Sequence, residues 1–250
     1  MTRDLYEVPR DVDGLDDCAF YHSMEIPGFG EVTGAWDLRA GVDAYLGNIR
    51  LNGRRVLEIG PASGFLTFHM EHAGAEVVSI ELPPDQPWDV VPAADVDMAA
   101  MQRSIRSSIE QTSNSYWLAH RAFGSDARVH RGIVDDLPAA LGSFDIAVLS
   151  CVLLHMRDPS LALTECARMT TGSIIVTEPL WRRDVPHRPV LELLPAVGND
   201  VRTTWWQLTP QWVAQLLGVL GFQTAETTYH QQRYVTEGRM IDMFTVVASR

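Results

Sequence analysis

The 250-residue chain has no lysine: all 20 of its basic residues are arginine. That removes the Schiff-base amine of ordinary pyridoxal-phosphate enzymes and the lysine general base. A Walker A loop and the strand lysine of protein kinases are excluded with it. Cysteine is scarce. Cys18, Cys151 and Cys166 are an odd number, far apart, with no C-x-x-C pair, so neither a disulfide framework nor a cysteine-built zinc site is expected, and a cytoplasmic location is. No apolar run approaches the ~20 residues of a membrane helix, and the acidic stretch MTRDLYEVPRDVDGLDD lacks the apolar core of a signal peptide. Positive charge is outweighed: 32 Asp and Glu give a net charge of −12. No basic run is longer than an arginine pair (54–55 and 182–183). Broad phosphate-backbone binding needs many cations, so nucleic acid is not an expected partner.

What is present is an ordinary globular composition, 46% hydrophobic and 21% charged, with length enough for one domain and a real core. Residues 1–50 read as an N-terminal cap, irregular to about residue 35. Leu38, Val42, Tyr45, Leu46 and Ile49 then fall at helical spacing over 38–50. Strand patterns follow at 56–60, 76–81, 128–134, 144–150, 173–178, 222–229 and 240–248. Helical patterns lie at 65–73, 97–112, 116–123 and 161–169, with a last helix from Pro210 to Gly221. Alternating strands and helices predict an α/β fold with a mostly parallel sheet covered on both faces, closed by an antiparallel edge hairpin. Segments 83–123 and 181–208 interrupt that alternation after the second and fifth strands, as lid inserts of a domain spanning 51–250.

The segment VLEIGPASGFLTF is a strand, a tight turn and a helix. Gly60 and Gly64 would let a ligand approach the backbone at the helix N-terminus. Glu81 ends the next strand, where a carboxylate accepts ribose hydroxyls in nucleoside-binding α/β proteins. The turn departs from G-x-G-x-x-G, and Glu58 places an acid beside it, which suits a cationic ligand better than a pyrophosphate.

The turn EIGPASG (58–64), Glu81 and the run FDIAVLSCVLLHMRDP (144–159) resemble class I S-adenosylmethionine-dependent methyltransferases. The resemblance implies a Rossmann-like seven-stranded sheet of order 3-2-1-4-5-7-6. It also implies S-adenosyl-L-methionine as cofactor, held by Glu58, Gly60, Ala62, Ser63, Gly64 and Glu81, with Ser150 and Cys151 after strand four. Ile133 stands where many relatives carry an acid for the adenine edge, and Asp135 and Asp136 are the nearest carboxylates. The cap segments YHSMEIPG (21–28) and GAWDLR (34–39) resemble a branch that includes tRNA wobble-uridine carboxymethyl-transferring enzymes. In that cap, Trp36 and Arg39 could reach the carboxylate end of the cofactor.

Methyl transfer from a sulfonium is an in-line displacement that needs an aligned acceptor and a site closed to water. A hydroxyl acceptor also needs a base or a metal. Strand order puts His155 and Glu178 at the right edge, each as base candidate, with Glu178 also able to anchor substrate or a metal. Mg²⁺ is left open, because loop carboxylates leave no spacing signature. His69 and His72 read as polar residues on a solvent-facing helix side rather than a metal pair. Tyr116, Trp117, Trp205 and Trp206 are candidate substrate platforms, with one of each pair expected to anchor an insert. The expected function is O-methylation of a small hydroxylated acceptor, a sugar or specialised metabolite, with a homodimer left open. Two alternatives stand beside it: a tRNA-modifying transferase, and a catalytically silent cofactor-binding regulatory subunit.

Overall fold

The computed structural model describes residues 5–94, 96–181 and 188–250. The Arg182-Arg183 pair lies outside them. The N-terminal cap carries a hairpin of β1 (Met24–Ile26) and β2 (Gly30–Val32), then β3 (Trp36–Asp37) and α1 (Val42–Tyr45). The body follows as β4 (Arg55–Ile59), α2 (Phe65–His72), β5 (Glu76–Glu81), α3 (Met98–Phe123), β6 (Arg128–Arg131), β7 (Phe144–Ser150), α4 (Pro159–Met169) and β8 (Thr170–Pro179). The chain closes with β9 (Leu191–Leu193), β10 (Trp206–Leu208), α5 (Pro210–Val219), β11 (Thr224–Tyr234) and β12 (Arg239–Ser249).

The central sheet runs β3-β11-β12-β8-β7-β4-β5-β6. Strands β4 to β8 are parallel, while β12 lies antiparallel to both β8 and β11. Numbering the seven anticipated strands in chain order gives the expected order 3-2-1-4-5-7-6. The cap adds an eighth, β3, on the outer edge, pairing Trp36 with Tyr234 and Asp37 with Arg233. Side chains of successive strand residues enter opposite cores, as a period of two requires. Leu57, Val78, Leu149, Val176 and Phe244 face α4 and α5. Val56, Val77, Val148, Ile175 and Met243 face α1 and α2. A third core joins cap residues Met24, Ile26 and Val32 to Phe68 of α2 and to Tyr116, Trp117 and Leu118 of α3.

Three local expectations change. The helix at 38–50 shrinks to α1, because Gly47 (φ 69°) and Asn48 (φ 53°) turn left-handed. The two helices at 97–112 and 116–123 are one, α3. Its polar middle stays helical with the Thr112 and Ser115 hydroxyls turned back onto the Ser108 and Gln111 carbonyls at 2.9 and 3.1 Å, a contact that helices tolerate at a small cost. Asp97 caps its start by accepting from the Ala100 amide at 2.9 Å. Within 188–208 the chain is not wholly irregular, since β9 and β10 pair antiparallel.

Candidate active site

The turn after β4 is built by three left-handed residues, Gly60 (φ 72°), Ala62 (φ 50°) and Gly64 (φ 88°). The Gly64 amide donates to the Pro61 carbonyl at 2.9 Å, and the Phe68 amide then donates to Gly64 at 2.9 Å, opening α2. Free backbone amides at such a helix start favour a polar or anionic ligand group. The glycine at 64 has a cause other than ligand approach. A Cβ there would lie 2.4 Å from Phe68 Cε2 and 2.9 Å from Tyr116 Cδ2. Aromatic rings of α2 and α3 press on the turn from within the protein.

Ser63 is fully buried, and its hydroxyl accepts from the Tyr21 and His22 amides at 3.2 and 3.0 Å. It therefore fastens the cap over the turn. His22, in that cap, is buried with an unpartnered Nδ1, and burial alone pushes its imidazole down to about 3. It is neutral at any working pH. Glu58 lies under the turn, accepting from Thr67 Oγ1 at 2.5 Å and Ser79 Oγ at 2.7 Å. Burial raises its carboxyl to about 7 despite those two bonds. The buried Tyr116 hydroxyl lies beside this group without a hydrogen bond of normal geometry.

Glu81 ends β5 directly across from Arg131 of β6. Its Oε1 accepts from the Leu82 amide at 2.8 Å, and Oε2 has no partner among the described residues. Burial raises its carboxyl, and Arg131 opposes that rise. At the end of β7, Ser150 Oγ is buried and unpartnered. Cys151 is left-handed (φ 50°), and its Sγ accepts from Tyr45 Oη at 3.3 Å. Burial raises this thiol, so it is not a thiolate nucleophile.

Glu178, 1% exposed, is the most telling acid. Its Oε1 accepts from the Val152 and Leu153 amides at 3.1 and 2.9 Å, while Oε2 is buried with no partner. Burial pushes this carboxyl up to about 8, against the pull of those amides. Tyr21 of the cap, Tyr45 of α1 and Cys151 are close enough to feel its charge. Trp36 packs on Tyr234 with ring centroids 4.8 Å apart and stands beside the Tyr21 hydroxyl.

The other anticipated residues sit differently. His155 binds the Thr203 carbonyl through Nδ1 at 2.6 Å and packs edge-on against Trp88, centroids 5.6 Å apart. A carbonyl only accepts, so Nδ1 carries the proton, and burial lowers the imidazole pKa. Trp205 donates to the Asp89 carbonyl at 2.7 Å, and Trp206 donates to the Met156 carbonyl at 3.0 Å. Both indoles therefore tie segments together. Tyr116 and Trp117 are core residues, 2% and 1% exposed, and do not form an open platform. A 26-residue continuous α3 turns their side chains under the cap. Arg39 does not wait for a ligand carboxylate: its Nε and Nη2 both meet Asp37 at 2.8 Å, and Nη2 also meets Glu31 at 3.0 Å. Asp135 and Asp136 are exposed on a 3-10 turn, and the charges felt by Asp135 are Asp158, Asp89 and Glu165. His69 approaches Asp43 at 3.7 Å. Among the described residues no three His, Cys, Asp or Glu side chains gather as a metal cage. No described helix is long and apolar enough to cross a membrane.

Tyr21, His22, Tyr45 and Arg131 join this region without any local sequence signal of a site role. Tyr21 and His22 stand in the YHSMEIPG segment that carried the cap resemblance, but nothing local places them on Ser63.

A turn of this geometry, an acid ending the next strand and a polar carboxyl edge define the class I methyltransferase arrangement. The methyltransferase domain family matches residues 57–176, and the chain carries an S-adenosylmethionine-dependent methyltransferase domain. No curated protein sequence matches it. Among solved structures, it is similar to the N-terminal domain of EvdMO1, crystallised in the presence of SAH and D-fucose: TM-score 0.56, 19% identity, 94% of this chain and 93% of that one. It is also similar to magnesium protoporphyrin IX methyltransferase (ChlM) from Synechocystis PCC 6803 with bound SAH: TM-score 0.53, 15% identity, 84% and 81%. A third is 1,6-didemethyltoxoflavin-N1-methyltransferase from Burkholderia thailandensis: TM-score 0.50, 18% identity, 84% and 75%. At these identities the likeness is one of fold.

Proposed function

We propose that this chain O-methylates a small hydroxylated molecule, a sugar or specialised metabolite, with Glu178 taking the acceptor proton. The observation that carries the reading is the buried, unpartnered Glu178 Oε2 at the carboxyl edge of the sheet. Two amides fix the other oxygen, so the free one has a set direction, and a carboxyl near 8 suits a base working close to neutrality. S-adenosylmethionine, when bound, supplies an electrophilic methyl on a sulfonium.

The residues present fit that cofactor. In the turn at 60–64 the Gly60 and Gly64 amides already donate to the Ile80 and Pro61 carbonyls, which leaves those of Ala62 and Ser63 for a ligand, and the free Glu81 Oε2 suits ribose hydroxyls. Ser150 and His22 bring unpartnered buried atoms to the same edge. His155 serves this reading by positioning: it pins Thr203 and thereby the second insert. Segments 83–94 and 188–208 act together as a lid. Val91 donates to the Arg202 carbonyl, Trp205 donates to Asp89, and Arg157 meets Asp89 at 3.1 Å. A roof stitched this way favours a small acceptor over a folded RNA, as does the net charge of −12. The D-fucose named for the EvdMO1 crystal makes deoxysugars a first acceptor class to try.

The test is labelled S-adenosylmethionine with three pools: hydroxylated small molecules including deoxysugars, bulk tRNA, and buffer. Label recovered as a methyl ether on a small molecule supports the reading. Label in tRNA favours the wobble-uridine alternative, and cofactor binding with no turnover in any pool favours the silent subunit. The same assay with a chelator checks Mg²⁺, which this route does not require. Sedimentation of the full chain reports whether it is a homodimer.

A further inference from the structure

Residues 5–12 lie along the outer edge of β6, far in sequence from the site. The Glu7 amide donates to the Val129 carbonyl at 2.8 Å, and His130 Nδ1 donates to the Leu5 carbonyl at 2.6 Å. The Arg128 guanidinium sits 5.1 Å over the Tyr6 ring. The segment then crosses α3, where Arg121 meets Asp11 at 3.1 Å and donates to the Val12 carbonyl. Its most consequential contact is with Arg131, the residue directly across the sheet from Glu81. Glu7 Oε2 accepts from Arg131 Nε at 2.5 Å. The other two guanidinium nitrogens donate to the Leu82 carbonyl at 3.0 Å and to Ser113 Oγ of α3 at 2.8 Å. All three nitrogens of the fork are held by three different elements, and the ion pair is largely shielded, its side chains 17% and 22% exposed.

We infer that the N-terminal segment is a strap of the cofactor site: Glu7 fixes the Arg131 fork, and Arg131 holds Leu82 and the Glu81 carboxylate in the geometry that receives the ribose. Glu7 and Arg131 are positioning residues. The inference rests on the reading of Glu81 as the ribose contact. The charged groups facing Glu81 are Arg131 from β6, Glu7 from the strap and Glu58 from β4. Only Arg131 favours the ionised form, which accepts two hydroxyls at once. Removing that charge raises the Glu81 carboxyl further, so binding fails at a higher pH as the solution is acidified.

The experiment is calorimetry of the full chain with S-adenosylhomocysteine between pH 5 and 8, with folding checked by circular dichroism. Glu7→Ala is expected to weaken affinity about five- to tenfold, a typical coupling between sites. Arg131→Gln is expected to move the acid midpoint of binding up by about one pH unit, and Arg131→Lys to restore it. Should Glu81→Ala weaken binding while Glu7→Ala and Arg131→Gln leave affinity and midpoint unchanged in folded protein, the strap is overturned and the ribose contact stands. Should Glu81→Ala itself leave affinity intact, the ribose reading falls and the strap's role falls with it. If Glu7→Ala does not fold, Glu7→Gln decides by the same loss of affinity and the Arg131 pair by the midpoint.

Discussion

The two ends of the central sheet are both polar, yet their polar groups are satisfied to different degrees. At the amino end, a cavity of about 480 Å³ is lined by Arg50, Arg54, Asp145, Ser173, Glu226 and Ser249, among others. Most of its polar groups face one another: Ser173 and Ser249 share a hydrogen bond of 2.8 Å, and Asp145 accepts from the Arg55 amide at 2.8 Å and faces Arg54 at 3.8 Å, while Thr228 Oγ1 is buried there without a partner. At the carboxyl end, Glu178 Oε2, Ser150 Oγ and His22 Nδ1 are buried without partners. A buried polar atom left unsatisfied costs about 1–3 kcal/mol. Such atoms persist where something else satisfies them or where their reactivity is used. Concavity by itself is therefore a poor guide to the site in this molecule, and the balance of unsatisfied groups is a better one.

That contrast can be broken most sharply at Glu178. Glu178→Gln keeps the shape and removes the base, and should lower turnover about 10²–10⁴-fold with little change in S-adenosylhomocysteine affinity. In the parent enzyme, turnover should rise with pH through about 8, as the carboxyl ionises. A flat pH profile with full activity in Glu178→Gln would remove Glu178 as the base.

The next effect is on stability. Glu58 and Glu178 both have folded-state values well above the ordinary 4.5, at about 7 and about 8. A carboxyl raised in this way is best tolerated while protonated. Its share of stability is fully present below about pH 4.5 and is lost as pH rises through 7 to 8. The melting temperature should therefore fall between pH 5 and 8.5, with Glu58 alone responsible for about 3 kcal/mol of that loss. Thermal scans of Glu58→Gln should show a flatter dependence, and an unchanged slope would place the cause elsewhere.

Smaller is the effect of freeing the cap. Ser63→Ala leaves the Tyr21 and His22 amides without their acceptor, for a loss of about 1–3 kcal/mol. Hydrogen exchange at 21–22 should quicken, while exchange in the amino-end cavity stays the same. Smallest is Arg54→Ala in that cavity, where the guanidinium is half exposed and its ion pair long. Denaturation should shift by no more than about 0.5 kcal/mol, and cofactor affinity should not move. A large loss of affinity there would mean that the amino end takes part in the site after all.

Much of this could be read from the chain alone, and the reasons are local. Runs such as EVVSIE alternate faces with period two, the glycine turn marks a strand-to-helix passage, and Glu81 follows at strand spacing. These features predict a mostly parallel sheet and the edge where chemistry belongs, because near neighbours bias backbone conformation; the strand order was what the family resemblance implied. Which polar atom meets which partner was decided by the tertiary structure. Ser63 looks like a turn residue but serves amides 41 and 42 positions away. Arg39 looks available but is occupied by its own neighbour Asp37. Tyr116 and Trp117 look like a platform, but the unbroken α3 buries them. Glu7 reaches Arg131 across 124 positions. Periodicity reports which face of an element is apolar. Only the packed chain determines which buried donors and acceptors satisfy one another and which remain free.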